Sequence, residues 1–516
     1  MKIKNISKSF LAAVVLAASL FSCSEDKMDE INKDINHTTD VPAKLILTDV
    51  MTSTAFSAVG GDFNTYAGIY IEHEIGSHNQ TYRAERREGE PQAASTFNNV
   101  WGSTYSTLKN AKIAIAKCSE GGSQEGNFVS RGIAKLLAAY NLAILTDFFG
   151  DVPWTEACDY TVSMTPKIDK QEDIYKDIIA YIDAAIEDLQ KEDKTGIGNQ
   201  DLIYKGDATK WLKAAYGLKA RYTMHTLNRA ADKQAALQTV LDCISKSFTS
   251  VDEQFSYNMY NTGVNMNPLF GYFWARAGLV ASRSMFDKLA DRKDPRIGRI
   301  FMEPNKQVVI SSADDKLLKL AKHADLEQSQ LQYTTSLYVA AQTAPTHLLS
   351  YHEVLFLKAE ALVQLAKTAE AKATLKEAVI AGFANTEKNV SAALKSTYWD
   401  GFEVSTKAIT PEEAAAYFDE NVASRFDANP LKETMIQKYI AFHGANGEST
   451  ECYNDVRRMK ASNNDFYDFQ NPKTDKFPLR CPYGNDDTTT NPNVQSAYGD
   501  GTYVYTENVW WAGGSR

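Results

Sequence analysis

The sequence predicts a mainly α-helical body, built from helical hairpins and interrupted by long loop-rich insertions. Three observations predict it. Apolar residues recur at the 3.6-residue spacing of a buried helix face. Breaker sequences separate these stretches. Small residues gather where paired helices must approach closely. The 516 residues are 44% hydrophobic and 11% aromatic, ample for a large core.

The chain opens with a different kind of element. Lys2, Lys4 and Lys8 stand without an acid, and Phe10 to Phe21 is apolar and small apart from Ser19. A basic start followed by an apolar run of about 12 residues has the form of a secretory leader. The run is shorter than the roughly 20 residues needed to span a bilayer. Ser22-Cys23 follows, and a cysteine at the cleavage point resembles the lipobox of bacterial lipoproteins. That resemblance implies a leader over 1–22 and lipidation of Cys23, although Phe21 is bulkier than usual there. Ser24-Glu25-Asp26-Lys27-Met28-Asp29-Glu30 then reads as a solvated acidic tether within 23–42. It is similar to the surface-export signal of Bacteroidetes-type lipoproteins. The membrane connection expected is a lipid anchor rather than a crossing.

Beyond residue 43 the sequence predicts one domain, 43–516. Ile133, Leu136, Leu137, Tyr140 and Ile144 share one helix face; Ile174, Ile178, Ile182, Ala185, Ile186 and Leu189 share another. Gly150-Asp151-Val152-Pro153 breaks the chain between them. Further pairs are expected at 208–228 with 231–246 and at 351–365 with 369–381. In the last pair Ala359, Ala361, Ala366, Ala373 and Ala378 permit close approach, and it resembles a tetratricopeptide hairpin. No sustained 34-residue period marks a regular array. Three stretches read as loop-rich: 73–96, 250–280 and 462–516. Such insertions on a rigid scaffold are where binding residues concentrate.

Charge and cysteine content narrow the function. The formal net charge is -10, and loss of the leader lysines makes the mature chain more acidic still. That argues against a nucleic-acid partner, which demands Lys and Arg against phosphate. With Cys23 lipidated, Cys118, Cys158, Cys243, Cys452 and Cys481 remain, an odd number without CxxC spacing. Neither a disulfide framework nor a zinc site is expected.

Motifs in a fixed order carry a resemblance to the SusD/RagB family, in its second SusD-like branch. They are Asp147-Phe148-Phe149-Gly150-Asp151-Val152-Pro153-Trp154-Thr155-Glu156-Ala157 with Pro166 to Tyr175 behind it, Gly206-Asp207-Ala208-Thr209-Lys210-Trp211-Leu212-Lys213, Asp294-Pro295-Arg296, Tyr351-His352-Glu353 through Ala361, Phe477-Pro478-Leu479-Arg480, Asn491-Pro492, and Trp510-Trp511. Ala215-Tyr216 departs from the small-Asn pair usual after the Lys-Trp helix start. The resemblance implies a helical fold with tetratricopeptide-like hairpins toward a partner and loops forming the ligand face. It implies an outer-membrane, outward-facing lipoprotein that binds a nutrient, an oligosaccharide or a peptide, and passes it to a SusC-like TonB-dependent transporter without chemistry. A lipid-anchored protein-interaction scaffold is the alternative from another class, and a secreted hydrolase a third.

Most of these motifs read as scaffold. Gly150 permits a positive φ, Asp207 or Thr209 can cap a helix, and Glu353 and Glu360 are expected to pair with Arg or Lys. His73-Glu74-Ile75-Gly76-Ser77-His78 has its histidines at i and i+5, not the i and i+4 of a zinc helix, so both are expected in a loop near the ligand mouth. With 65 Asp and Glu in the chain, no carboxylate pair stands out as hydrolytic. No cofactor is expected, although the hard oxygen ligands of Asn485-Asp486-Asp487 would suit a structural calcium. For ligand binding, aromatic faces cover the C–H patches of sugars while Asn, Gln and Arg reach hydroxyls. The Ser256–Trp274 stretch and Asn79-Gln80-Thr81-Tyr82-Arg83 offer that combination. Asn79, Tyr82, Arg83, Tyr257, Tyr260, Asn267, Phe273 and Trp274 are the candidate site residues, whereas Trp101, Tyr105, Trp510 and Trp511 read as packed.

Overall fold

The computed structural model describes residues 40–89, 96–325, 332–399 and 403–516. The leader, Cys23 and the tether up to residue 39 lie outside the described residues. Within Ala43–Arg516, one compact unit, a row of helices forms the frame. Asn98–Cys118 packs on Phe128–Phe149, and then Gln171–Asp188, Ala208–His225 and Lys233–Ile244 follow, each against its predecessor. Tyr351–Gln364 packs directly on Lys233–Ile244, and Thr368–Leu394 on Tyr351–Gln364. The row is therefore continuous in space across an insertion of about a hundred residues in sequence. That insertion carries most of the short strands, two to four residues each.

The periodicities are realised with one extension. Ile174, Ile178, Ile182, Ala185 and Ile186 are all buried in Gln171–Asp188. Phe128–Phe149 is buried on nearly every side rather than along one face. It is long and apolar enough to cross a membrane, but its place is the centre of this core. It stops at Gly150, whose φ of 82° is open to glycine and strained for other residues. Val152–Pro153 then pairs antiparallel with Ile168–Asp169. The Asp207 carboxylate caps the Ala208–His225 helix, accepting from the backbone N–H of Thr209 at 3.0 Å and Lys210 at 3.2 Å. The five described cysteines are free thiols, four of them buried.

The three predicted loop regions hold more regular structure than their composition suggests. Residues 73–96 contain the strand Glu74–Gly76 and the helix Asn79–Glu85; residues 250–280 contain Phe255–Tyr257 and the helix Pro268–Arg276. Short helices at Asn485–Thr490, Pro492–Tyr498 and Tyr503–Thr506 punctuate the C-terminal stretch. Trp101 and Trp511 are buried, as their spacing and position predict, while Trp510 stays partly exposed under Arg229. His73 is a correction: it is in the core, bonded to Ser449 Oγ at 2.9 Å and the Tyr439 carbonyl at 3.0 Å.

The helix Ser449–Ala461 runs through the core although its sequence, STECYNDVRRMKA, is mostly polar. Every residue from Ser449 to Met459 is buried. Its charges are answered by those of the surrounding helices. Arg458 meets Glu360 at 2.5 and 2.7 Å and Asp455 at 2.8 Å. Lys438 meets Asp455 at 2.6 Å. His225 Nε2 meets Glu451 at 2.8 Å, and its Nδ1 faces Tyr175 Oη at 2.9 Å and Asp147 at 3.3 Å. Arg221 forks onto Glu353 at 2.6 and 2.5 Å. Glu353 and Glu360 thus find the arginine partners expected of them.

Such pairs cost several kcal/mol of desolvation, so loss of one partner is felt strongly. Glu360→Gln should destabilise the protein by about 3–5 kcal/mol, because it leaves the buried Arg458 only Asp455, which Lys438 already shares. Lys372→Gln, which breaks an exposed 2.7 Å pair with Asp427, should cost under about 1 kcal/mol. Urea midpoints of the two variants measure the contrast, and equal shifts would contradict it.

His225 gives a pH dependence. Burial alone lowers its pKa, but Glu451 and then Asp147 outweigh burial and hold it at about 9. An unfolded histidine titrates near 6.5. The folded state therefore holds the proton more tightly, and this contribution is complete below pH ~6.5 and lost as pH rises through ~9. Thermal stability should fall across that window, and His225→Gln should flatten the fall while lowering stability at neutral pH.

Candidate ligand-binding groove

Two sequence segments about 200 residues apart form the most distinctive surface feature. Their junction is a three-pair antiparallel ladder, with Glu74 opposite Ala281, Ile75 opposite Val280 and Gly76 opposite Leu279. The Ser77 N–H continues it, donating to the Gly278 carbonyl at 2.9 Å. Thr81 Oγ1 donates to that same carbonyl at 3.0 Å and lies 2.8 Å from the His78 carbonyl. The ladder thereby sets the start of the Asn79–Glu85 helix beside the end of the Pro268–Arg276 helix. Between them lies a groove of about 380 Å³ lined by His78, Asn79, Gln80, Arg83, Tyr272 and Arg276.

Pro268–Arg276 is cut to length by its caps. The Asn267 side chain accepts from the Leu269 N–H at 2.9 Å, and Pro268 takes the first helical position, where no N–H is needed. Ala277 ends the helix in the left-handed region at φ 52°. Residues four apart divide its surface into stripes. Leu269 and Phe273 are buried. Tyr272 and Arg276 face the groove. Phe270 and Trp274 stack at 6.1 Å on the opposite flank, where Trp274 also meets Tyr398 edge-on at 5.9 Å. Trp274 is 63% exposed, an open indole face on an otherwise packed support. The outer crown between the flanks carries only Gly271 and Ala275, and nothing lies within 4 Å of where a Gly271 side chain would begin.

The groove is polar and cationic. His78, Asn79, Gln80, Arg83 and Arg276 are exposed, and Tyr272 is half-buried. Burial raises the Tyr272 pKa, so its hydroxyl is a neutral donor and acceptor at neutral pH. None of the six lining residues is an acid.

The structure divides the eight candidate residues. Asn79, Arg83 and Trp274 are exposed at this groove and its flanking helix. Tyr82 is half-buried on the same short helix, outside the groove lining, with its hydroxyl accepting from Arg86 at 2.8 Å. Tyr257, Tyr260, Asn267 and Phe273 are buried. Tyr257 and Tyr260 pack on Phe56 and on each other, and Tyr260 reaches Thr346 Oγ1 at 2.7 Å. Asn267 donates to the Ala344 and Ala445 carbonyls at 2.9 and 2.7 Å, so it caps and staples rather than faces solvent. Tyr272, Arg276, Gln80 and His78 complete the groove. The first two sit at i, i+4 in an aromatic-rich run, a spacing that marks a shared face once the run is known to be helical.

Asn485-Asp486-Asp487 opens a short helix, and Asp487 accepts from the Trp101 indole N–H at 2.7 Å. Among the described residues no group of three or more His, Cys, Asp and Glu is placed to hold a metal ion. A second cavity, about 410 Å³, lies between Tyr351–Gln364, Thr368–Leu394 and the turn at 249–254. Its lining is dominated by Tyr351, Leu355, Ile380 and Ala381, which suits an apolar side chain better than a sugar.

Comparison with known proteins follows the same lines. A family model, SusD-like_2, described as "Starch-binding associating with outer membrane", matches residues 36–459. The crystal structure of a SusD/RagB family protein from Bacteroides thetaiotaomicron is 51% identical, with a TM-score of 0.89 over 92% of this chain and all of that one. A chitin-binding protein is 22% identical, with a TM-score of 0.70 over 90% of this chain and all of its own. A SusD homologue from Bacteroides fragilis is 19% identical, with a TM-score of 0.70 over 92% of this chain and all of that one. These last two likenesses are of fold. No curated protein matches the chain.

The ladder leaves no room for a side chain at Gly76, where a Cβ would fall 2.0 Å from the Thr81 carbonyl oxygen. Gly76→Ala should therefore displace the Asn79–Glu85 helix. Hydrogen exchange should quicken across 77–86 and stay unchanged in Phe128–Phe149. Gly102→Ala, where nothing lies within 4 Å, should leave both unchanged.

Proposed function

This chain belongs to the SusD-like family, and from that premise we propose that it is a lipid-anchored receptor on the outer face of the outer membrane. It captures an oligosaccharide and delivers it to a SusC-like TonB-dependent transporter. Family membership supports starch or nutrient binding and outer-membrane association. The name of the chitin-binding neighbour is in keeping with a carbohydrate ligand. Cys23, behind its apolar leader, supplies the anchor in this reading.

The observation that carries the proposal is the Pro268–Arg276 helix. It presents an open Trp274 face on one flank and hydrogen-bonding groups on the other, separated by a crown of Gly271 and Ala275. A sugar chain laid across that crown can stack a ring on the indole while neighbouring hydroxyls reach Tyr272 and Arg276. Among the described residues the groove lining contains no carboxylate, whereas glycoside hydrolysis works between two. Binding without turnover is the function proposed.

The test has two readouts on the protein from its native outer membrane, solubilised in mild detergent. Mass spectrometry should recover a near-stoichiometric TonB-dependent barrel. Calorimetry against an oligosaccharide panel should give binding that Trp274→Ala weakens about tenfold, the scale of one lost stacking contact. Recovery of the lipoprotein alone would sink the transporter partnership. Binding of peptides in place of every glycan would replace the ligand class.

A further inference from the structure

The sign of the groove is unusual for this molecule. The protein carries a net charge of -10, yet the described residues that line the groove include two arginines and a histidine and no acid. Elsewhere the arginines are held by acids or, as with Arg87, Arg229, Arg283 and Arg457, by backbone carbonyls. Arg221 is paired with Glu353, Arg292 with Glu433, Arg296 with Asp294, Arg299 with Glu387 and Arg458 with Glu360. Arg83 and Arg276 form no ion pair among the described residues, and both are exposed. Arg86, one turn from Arg83 on its other side, is already satisfied by Glu88 at 2.7 Å. The acid felt by Tyr272 is Asp62, which is half-buried, outside the groove lining, and raised in pKa by burial.

The two free guanidinium groups come from segments joined by the Glu74–Gly76 and Leu279–Ala281 ladder and by the Ser77 and Thr81 bonds to the Gly278 carbonyl, so the fold itself sets them on one groove. A guanidinium offers parallel N–H donors that match the oxygens of a carboxylate or sulfate, and such charge-assisted bonds are stronger than those to hydroxyls. A neutral sugar would accept from these donors and leave their charge unmatched. Resting on the reading that this groove is the ligand site, we propose that it recognises an anionic sugar. Arg83 and Arg276 clamp a uronate carboxylate or a sulfate ester, and Asn79, Gln80 and the Tyr272 hydroxyl reach the neighbouring hydroxyls. Trp274 on the far flank takes an uncharged ring of the same chain.

Calorimetry on the detergent-solubilised protein tests this with four tetrasaccharides: a galacturonate, a sulfated galactan, a maltotetraose and a chitotetraose. At least one anionic probe should bind about tenfold tighter than either neutral one, the scale of a charge-assisted hydrogen bond, and lose affinity as salt is raised. Arg83→Gln and Arg276→Gln should each remove that advantage while leaving the thermal transition in place. Arg83→Lys should restore only part of it, since the charge returns without the fork. Preference for the uronate probe assigns the carboxylate, and preference for the galactan assigns the sulfate. Neutral probes binding as tightly as anionic ones, with affinity indifferent to salt and to both arginine variants, would overturn the anionic assignment and leave the glycan-receptor reading standing. Failure of all four probes, with peptides bound instead, would remove both.

Discussion

A polar helix in the middle of the molecule is the constraint on which the rest depends. Ser449–Ala461 buries one apolar stripe, Cys452, Tyr453, Val456 and Met459, but its remaining faces are polar and charged and are buried too. Those charges are matched from the surrounding helices: Arg221 and His225 from Ala208–His225 meet Glu451, Glu360 from Tyr351–Gln364 meets Arg458, and Lys438 from Pro430–Ala441 meets Asp455, with Glu353 behind Arg221 and Asp147 behind His225. A buried charge without its partner costs several kcal/mol, so each helix must arrive in register for the others to be tolerated. The network also reaches the C-terminus, where the Trp511 indole N–H donates to Asp147 at 2.8 Å. Helix order, spacing and the docking of the last residues are coupled through one set of ion pairs.

This rigid frame makes a loop-borne groove usable. The Asn79–Glu85 helix is only seven residues long, too short to be stable by itself. It is fixed at its start by the ladder to Leu279–Ala281 and by the forked Thr81 hydroxyl. Beyond it, the Glu85 carboxylate accepts from the Ala324 N–H at 3.0 Å and lies 3.0 Å from His323 Nδ1. The Pro268–Arg276 helix is fixed by Asn267, whose amide ties it to the carbonyls of Ala344 and Ala445. Groove residues are thus exposed at their tips and fastened at their roots, which limits the ordering entropy that a ligand must offset.

The helix row was legible because it obeys the one signal a single sequence displays well, apolar periodicity. Ile174 to Ile186 and the Ala-rich 351–381 pair announce their faces and their close packing. The central helix was legible on one face alone: Cys452, Tyr453, Val456 and Met459 form an apolar stripe, whereas burial of its charged faces follows from partners up to some 300 residues away in sequence. The candidate site was half legible for a related reason. Aromatic and amide residues mark both a sugar platform and a packed strand, and nothing in the run from Ser256 to Trp274 separates them. Tyr257, Tyr260 and Phe273 went inward because the strand pairing of Phe255–Tyr257 with Thr346–Leu349 and the Leu269/Phe273 stripe required apolar cover. Asn267 went inward because an amide that caps a helix can also satisfy two buried carbonyls. Asn79, Arg83 and Trp274 remained outside, and Tyr272 and Arg276 joined them once helical spacing turned a linear run into two flanks.

The openness of the groove bears on how a receptor of this kind would work. A deep enclosed pocket would hold a ligand tightly and release it slowly, since affinity differences among related complexes lie mostly in dissociation. In the proposed mode the stacking surface would be a single exposed indole, and the polar contacts would come from exposed or half-buried side chains on two short helices. Each contact is exchanged against water, so the net gain per contact is small, about 0.5–1.5 kcal/mol for a neutral hydrogen bond. Useful retention then depends on a ligand long enough to engage both flanks at once, which raises the effective concentration of the second contact after the first has formed. Short fragments would leave quickly, and a longer chain could be surrendered one flank at a time. Graded release of that kind suits handing a ligand onward better than storing it.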